Sequence, residues 1–493
     1  MRSPVQPLRV LLLAAFLATL LVFSVFSAVG SPQDFQSDHR LLPLFLFAHG
    51  LPVYGDPADT PIFSPIYAPL SFLAYFPALL FRSPAPAILC AKLMAQLYAV
   101  FPILWLLWRR SRQILTGIEA TVVLMSLALA AIGWGPSLDY LTILHADAPA
   151  FFLCFCACIL TGRLSETSAS RLLAALALCC VLAPFTKQPA WPIVFVPLIV
   201  ISRLRLWKLI ARLITAYLAL MALVGGFFLF LFRDQRMLFW ILEVPARHLR
   251  HVSRARFIFA FRILLTSRTS LILIVFVICW LLKLFFGRRK VPPCDIESVF
   301  FVAALVGLPG AILGCAKPGG GYNTLLFFLY FAFIGALLWV QRLTGALSYP
   351  AGLSVAIVVL CGITLGYRLT PNALLAWNPE HGFRETAAYE YMRRHPGQIW
   401  FPRYPLAGYL AEGKVYHCNM GLLDRFYAEL PTSDALLNKY IPNGGRIIAC
   451  ADDCRFKREP MLHYRSISLP ELPGNWKIDE RTDQGTFHFD EKQ

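Results

Sequence analysis

Two aspartates, a histidine and an arginine crowd into SPQDFQSDHR, residues 31–40, just beyond an unbroken apolar run. Asp34 and Asp38 can each take a proton from a hydroxyl, while His39 and Arg40 beside them can grip a polar or anionic ligand. Similar residues recur far along the chain. Asp139, His145 and Asp147 fall in SLDYLTILHADAP, Lys187 in APFTKQPAWP, and Lys317, Tyr322 and Asn323 in AKPGGGYN. A carboxylate pair set against cations suits one reaction well. One carboxylate deprotonates an acceptor hydroxyl, and the cations hold a departing phosphate as its charge develops. That is the chemistry of sugar transfer from a phosphate-linked donor.

The chain excludes nucleotide chemistry of the common kinds. It has no GxxxxGK[ST] loop and no GxGxxG opening a helix after a strand; KPGGG is glycine-rich, but no K[ST] follows. No CxxC pair or HExxH supports a metal site, so neither a cofactor nor a divalent cation is called for.

Hydrophobic residues make up 58% of the 493, and they come in blocks rather than amphipathic stripes. Runs such as 10–30, 117–135 and 270–287 approach or reach the ~20 apolar residues that span a bilayer. The expected class is therefore an all-α polytopic membrane protein. The first run is longer than a signal-peptide core and reads as a retained helix. Cys154, Cys156 and Cys158 lie inside an apolar run and read as small hydrophobes. The net charge of +17 first reports orientation. Arg2, Arg9, Arg109, Arg110, Arg112, the 203–212 cluster and Arg288–Lys290 all belong inside. The N-terminus is then cytoplasmic, about eleven helices cross, and residues 31–65, 134–147, 186–189, 233–268, 316–323 and 368–493 face outward. The short 66–81 run, with Pro69 and Pro77, is expected to lie as an interfacial or re-entrant helix over the outer face. On this layout every polar stretch named above meets at one membrane boundary, where ionisable groups default to function. Asp147, next to an apolar helix, could also simply cap it.

Segment 233–262 holds Arg233, Arg236, Arg247, Arg250, Arg254, Arg256 and Arg262, with only Asp234 and Glu243 against them. A basic outer loop defies the usual bias. It implies an anionic ligand, phosphate being the natural fit for guanidinium, or an amphipathic helix against acidic headgroups.

These motifs resemble the GT-C class of integral-membrane glycosyltransferases, especially the bacterial family 39-like aminoarabinose-transferase and mannosyltransferase group. An acid follows the first helix, then AHGLPVYGDP and FSPIYAPL; HADAP, TKQPAWP and AKPGGGYN follow in the family's order. The resemblance implies Asp34 as general base, with Asp38 its rival, and Asp147 as the second carboxylate. It implies a polyprenyl-phosphate-linked sugar donor and an extracytoplasmic acceptor. Arg40, Lys187, Arg247, Arg250, Arg254 and Lys317 are the candidate phosphate ligands. His39, Tyr67, His145, Tyr322 and Asn323 are candidate substrate contacts. Two departures stand out: Phe35 follows Asp34 where many relatives write Glu, and Ser64 stands where some carry lysine. The competing class, a transporter or lipid-linked-sugar flippase, predicts internal repeats that the chain lacks.

The resemblance implies that residues 1–367 form a GT-C transmembrane catalytic domain, and 368–493 reads as a small extracytoplasmic α/β domain. In the latter, RETAAYEYMRRHPG reads as a helix, QIWFP and RIIACA as strands, and LAGYLAEGKVY as a helix turning into a strand. Cys450 could pair with Cys454, with Cys418 a competitor. The chain is placed in the bacterial inner membrane. Reporter fusions test the layout: a fusion at residue 110 reports a cytoplasmic position, and one after 370 an extracytoplasmic position.

Overall fold

A computed structural model describes residues 35–114, 144–165, 170–266, 268–286, 295–346, 384–442, 447–450, 464–467 and 477–481. The apolar runs at 10–30, 117–135 and 351–367, with Asp34, Asp139 and Cys454, lie outside these residues. The apolar blocks fold as helices, which alone satisfy their backbone polar groups internally. They are α1 (Phe35–Ala48), α2 (Pro84–Ile114), α3 (Asp147–Thr161), α4 (Ser170–Thr186), α5 (Trp207–Leu231), α6 (Arg254–Thr266), α7 (Arg268–Phe286), α8 (Ile296–Ala316) and α9 (Tyr322–Ala346).

Among the described residues, α5 and α8 are long and apolar enough to cross a membrane by length and composition. Their surroundings differ. In its most apolar stretch α5 is only 11% buried, and α8 is 50% buried. A helix that is apolar on all sides and left bare needs an apolar solvent, so α5 belongs against lipid. The interior is built on small residues and aromatic rings. Ala87, Ala91, Ala95 and Ala99 recur every fourth residue on α2 and are fully buried, which lets neighbouring helices come close. Phe151 of α3 stacks on Tyr330 of α9 at 4.9 Å, and the Tyr330 hydroxyl donates to Ala99 O at 2.7 Å. Helices α3 and α4 pack together, as do α8 and α9, so Asp147, Lys187 and Lys317 emerge where paired helices start and stop.

Two expectations change. Residues 31–65 are not simply a loop: α1 occupies 35–48 and buries Leu41, Leu42, Leu44, Phe45 and Leu46. The charges of DHR masked an apolar LLPLFLF face that packs inward. The single helix expected over 66–81 is broken into a turn at Leu70–Leu73 and a 3-10 turn at Phe76–Leu80. Pro69 and Pro77 each sit where a new turn begins, as a ring without an N–H requires, and neither piece can reach across a bilayer.

The tail carries α10 (Arg384–Arg394), α11 (Pro405–Glu412), α12 (Asn419–Tyr427) and strands β1 (Ile447–Cys450), β2 (Tyr464–Ile467) and β3 (Lys477–Arg481). The strands form an antiparallel sheet in the order β1-β3-β2, and Trp400 adds a parallel bridge to Ile448. Helix α11 ends on left-handed Gly413 (φ +69°), but no described strand follows, contrary to the helix-to-strand reading. Instead the next residues dock on the membrane part. The Ile62 N–H donates to His417 Nδ1 at 2.8 Å, and Cys418 N–H donates to Ile62 O at 2.8 Å. Burial lowers the His417 pKa to about 4, so its ring is neutral and free to accept.

Gly421 presses directly on this chain crossing. A Cβ there would lie 2.6 Å from Ile62 O and 2.7 Å from Phe63 Cα, both backbone atoms that cannot rotate away. Gly421→Ala should destabilise the docked tail by about 1–3 kcal/mol. Faster limited proteolysis of the tail in the purified protein would register this; unchanged protection would refute the close crossing.

Candidate active site

Asp147 opens α3, yet it is not used as a cap. The N-cap residue is Ala146, and the Asp147 oxygens face side chains instead. Lys187, at the turn after α4, donates from Nζ to one oxygen; His145 Nδ1 meets the other. All three side chains are buried. A buried carboxylate is costly unless paired and hydrogen-bonded, and here it is both. Burial is the main force on His145, lowering its pKa to about 4; Asp147 pulls the other way, and Lys187 and Arg40 add to the lowering. The ring is therefore neutral near pH 7. Its Nδ1–H donates to Asp147, which leaves Nε2 as an acceptor, and the Tyr67 hydroxyl lies 3.3 Å from it. Tyr67, His145 and Asp147 make one hydrogen-bonded line.

The Tyr67 ring gathers the cations. The Arg40 guanidinium carbon lies 4.4 Å from its centroid and the Lys187 ammonium 5.6 Å. Lys317, at the end of α8, belongs to the same field. Burial lowers its pKa, Asp424 raises it, and Lys187 and Arg40 lower it further. The turn after it is tight: Gly319 is left-handed (φ +69°), and a Cβ on Gly320 would strike Gly314 O. Tyr322 and Asn323 open α9 directly beyond this turn. His39 is buried on α1 beside Arg40.

The remaining candidates fall elsewhere. Asp38 is fully buried and turned to the tail: its carboxylate accepts Leu406 N–H at 2.6 Å and Ala407 N–H at 3.3 Å at the start of α11. Arg247 pairs with Glu243 at 2.6 Å and reaches Ala428 O at 3.5 Å. Arg250 and Arg254 are exposed. The basic segment is also better compensated than its sequence implies, because Arg236 meets Asp56 at 3.1 Å. Its last part is α6, with Ile258, Phe259 and Leu265 exposed beside the arginines, an amphipathic surface suited to the membrane interface.

Three contributors escaped the sequence reading. Gln188 donates to Ile66 O at 2.7 Å and Ile241 O at 2.8 Å, tying the Tyr67 segment to the residue after Lys187. Gln235 Oε1 accepts the N–H groups of Val53 and Tyr54 at 2.9 and 2.7 Å, fixing the first loop. Asp424 of the tail accepts from Ser64 Oγ at 2.8 Å. The only local signal for Gln188 was its place in TKQP.

No family model matches the chain, and no curated protein matches it. Solved structures do. The crystal structure of ArnT from Cupriavidus metallidurans bound to undecaprenyl phosphate aligns over 95% of this chain and 97% of its own, with TM-score 0.54 and 12% identity. The chain has the ArnT fold. At 12% identity this is a likeness of fold, and it agrees with the resemblance drawn from the motifs. The apo crystal structure of the same ArnT aligns over the same shares at 14% identity but with TM-score 0.38, and nothing is built on it.

Within the ArnT fold, the buried Asp147–Lys187 pair holds the α3 and α4 ends together. Lys187→Met leaves a buried carboxylate without its cation and should cost about 3–5 kcal/mol. Asp147→Asn with Lys187→Met together should cost much less than the sum of the single changes. Thermal unfolding of the four proteins in detergent measures this coupling; additive effects would rule the pair out as the anchor.

Proposed function

We propose that this chain is an inner-membrane glycosyltransferase. It moves a sugar from a polyprenyl-phosphate donor to a hydroxyl of an extracytoplasmic acceptor, with Asp34 as general base. The N-terminus is cytoplasmic, and the site and tail face outward. The observation that carries this reading is the convergence of Arg40 and Lys187 on Tyr67, with Lys317 in the same field, beside a buried Asp147. A net-cationic cluster at the helix ends of an ArnT-like fold suits a lipid phosphate. ArnT itself has been crystallised with undecaprenyl phosphate, a lipid of that class.

In this mechanism the Asp34 carboxylate takes the acceptor proton as the acceptor oxygen bonds to the anomeric carbon. The bond from that carbon to the phosphate oxygen breaks, and its electron pair leaves with the polyprenyl phosphate. Arg40, Lys187 and Lys317 hold the charge that appears there. Asp147 does not take the proton; it fixes Lys187 and, through His145, holds the Tyr67 hydroxyl in place. The Asp38 carboxylate already accepts two amide N–H groups of α11, which supports the reading of Asp34 as the base.

Asp34→Asn should lower transfer by about 10²–10⁴-fold with the protein still inserted and folded. Transfer is read by mass spectrometry of envelope glycans and lipids from cells carrying each variant. Undiminished transfer in Asp34→Asn would remove Asp34 as base, and a donor sugar translocated without transfer would favour a flippase.

A further inference from the structure

The tail places a carboxylate inside the membrane part's polar cluster. Asp424, on α12, is 8% exposed, and its Oδ2 accepts from Ser64 Oγ at 2.8 Å. Ser64 is itself buried and left-handed (φ +55°), a backbone state a serine holds only when its surroundings fix it. The Asp424 backbone oxygen faces His248 Nε2 at 2.8 Å. Burial is the main cause lowering the His248 pKa, so the ring is neutral and can donate there. Arg425, the next residue, donates to Pro57 O at 2.5 Å and also to Pro431 O. Helix α12 is therefore fastened on both sides of Asp424 to the loops that carry the site.

The same helix borders the Lys317 turn. Arg256 of α6 donates to Lys317 O at 3.3 Å, and Arg256 and Pro318 share a cleft of about 590 Å³ with Leu422 and Phe426 of α12. Among the described residues, the charged or titratable groups facing Lys317 include Arg40 of α1, Lys187, His248, Arg256 and Asp424. Within this set of described residues Asp424 is the acid. We propose that Asp424 is a positioning residue of the donor site, a tail carboxylate that steadies the Ser64 turn by hydrogen bonding and the Lys317 ammonium by charge. This role rests on the reading of Lys317 as a phosphate ligand.

It makes the tail part of the site, not an appendage. Without Asp424, Lys317 loses the acid that favours its charged form against Lys187 and Arg40, so it loses its proton at lower pH. A phosphate ligand that is neutral binds poorly. A purely structural Asp424 would instead weaken binding alike at every pH.

The test measures undecaprenyl phosphate binding to the full chain in nanodiscs across pH, with thermal unfolding as the check on folding. For the wild type, binding should weaken at the alkaline end. In Asp424→Asn that alkaline loss should begin about one pH unit lower, a roughly threefold loss of affinity halfway between the two midpoints that grows toward tenfold above both. Asp424→Glu should restore the wild-type limb. Lys317→Arg, whose guanidinium keeps its proton, should abolish the limb both alone and combined with Asp424→Asn. A limb that does not move in Asp424→Asn, or that persists in Lys317→Arg, overturns the proposal. No binding by the wild type at any pH would instead sink the donor reading beneath it.

Discussion

A carboxylate at the buried head of a membrane helix cannot stand alone. The Asp147–Lys187 pair answers that constraint, and much else follows from it. Lys187 must sit at the end of α4 level with the start of α3, so the two helices are held in register. Because Lys187 is fixed, the Tyr67 ring has a cation on one side, and Arg40 of α1 supplies another. Because the second oxygen of Asp147 takes His145 Nδ1–H, the proton arrangement through to Tyr67 is settled as well. One ion pair thereby sets helix register, ring orientation and the sign of the local field.

Around that centre, extended chain is pinned by side chains from remote positions. Gln188 and Gln235 each bridge two backbone groups, and Trp240 donates to Gly55 O at 2.8 Å. Such bridges suit a region that is not in regular secondary structure, where buried N–H and C=O groups would otherwise lack partners. They also explain why α1, the first loop and the tail behave as one scaffold for the polar cluster.

The membrane class and the main cations were legible in the sequence for a physical reason: an ion inside or beside an apolar block is expensive, so Asp147, Lys187 and Lys317 stood out. Asp424 did not. It lies in NMGLLDRFY, in a tail where an acid every few residues is ordinary, and its partner Ser64 is 360 positions away. Asp38 drew notice for the right chemistry, but its hydrogen bonds run to a helix start that no spacing could have indicated. The arginine-rich segment left two readings open, an anionic ligand or an amphipathic interfacial helix. Counting nearby acids could not reveal that Arg236 finds Asp56, while the exposed apolar residues of α6 agree with the amphipathic reading. Prolines 69 and 77 were read as oddities of one helix, when each marks a fresh turn.

The contact between Asp38 and the first turn of α11 joins positions 368 residues apart. A ribosome delivers the early partner long before the late one exists. Through nearly the whole of synthesis the two α11 amide groups that this buried acid receives do not yet exist, so this contact closes only at the end. The junction between the first described helix and the tail is therefore completed only by the last fifth of the polypeptide.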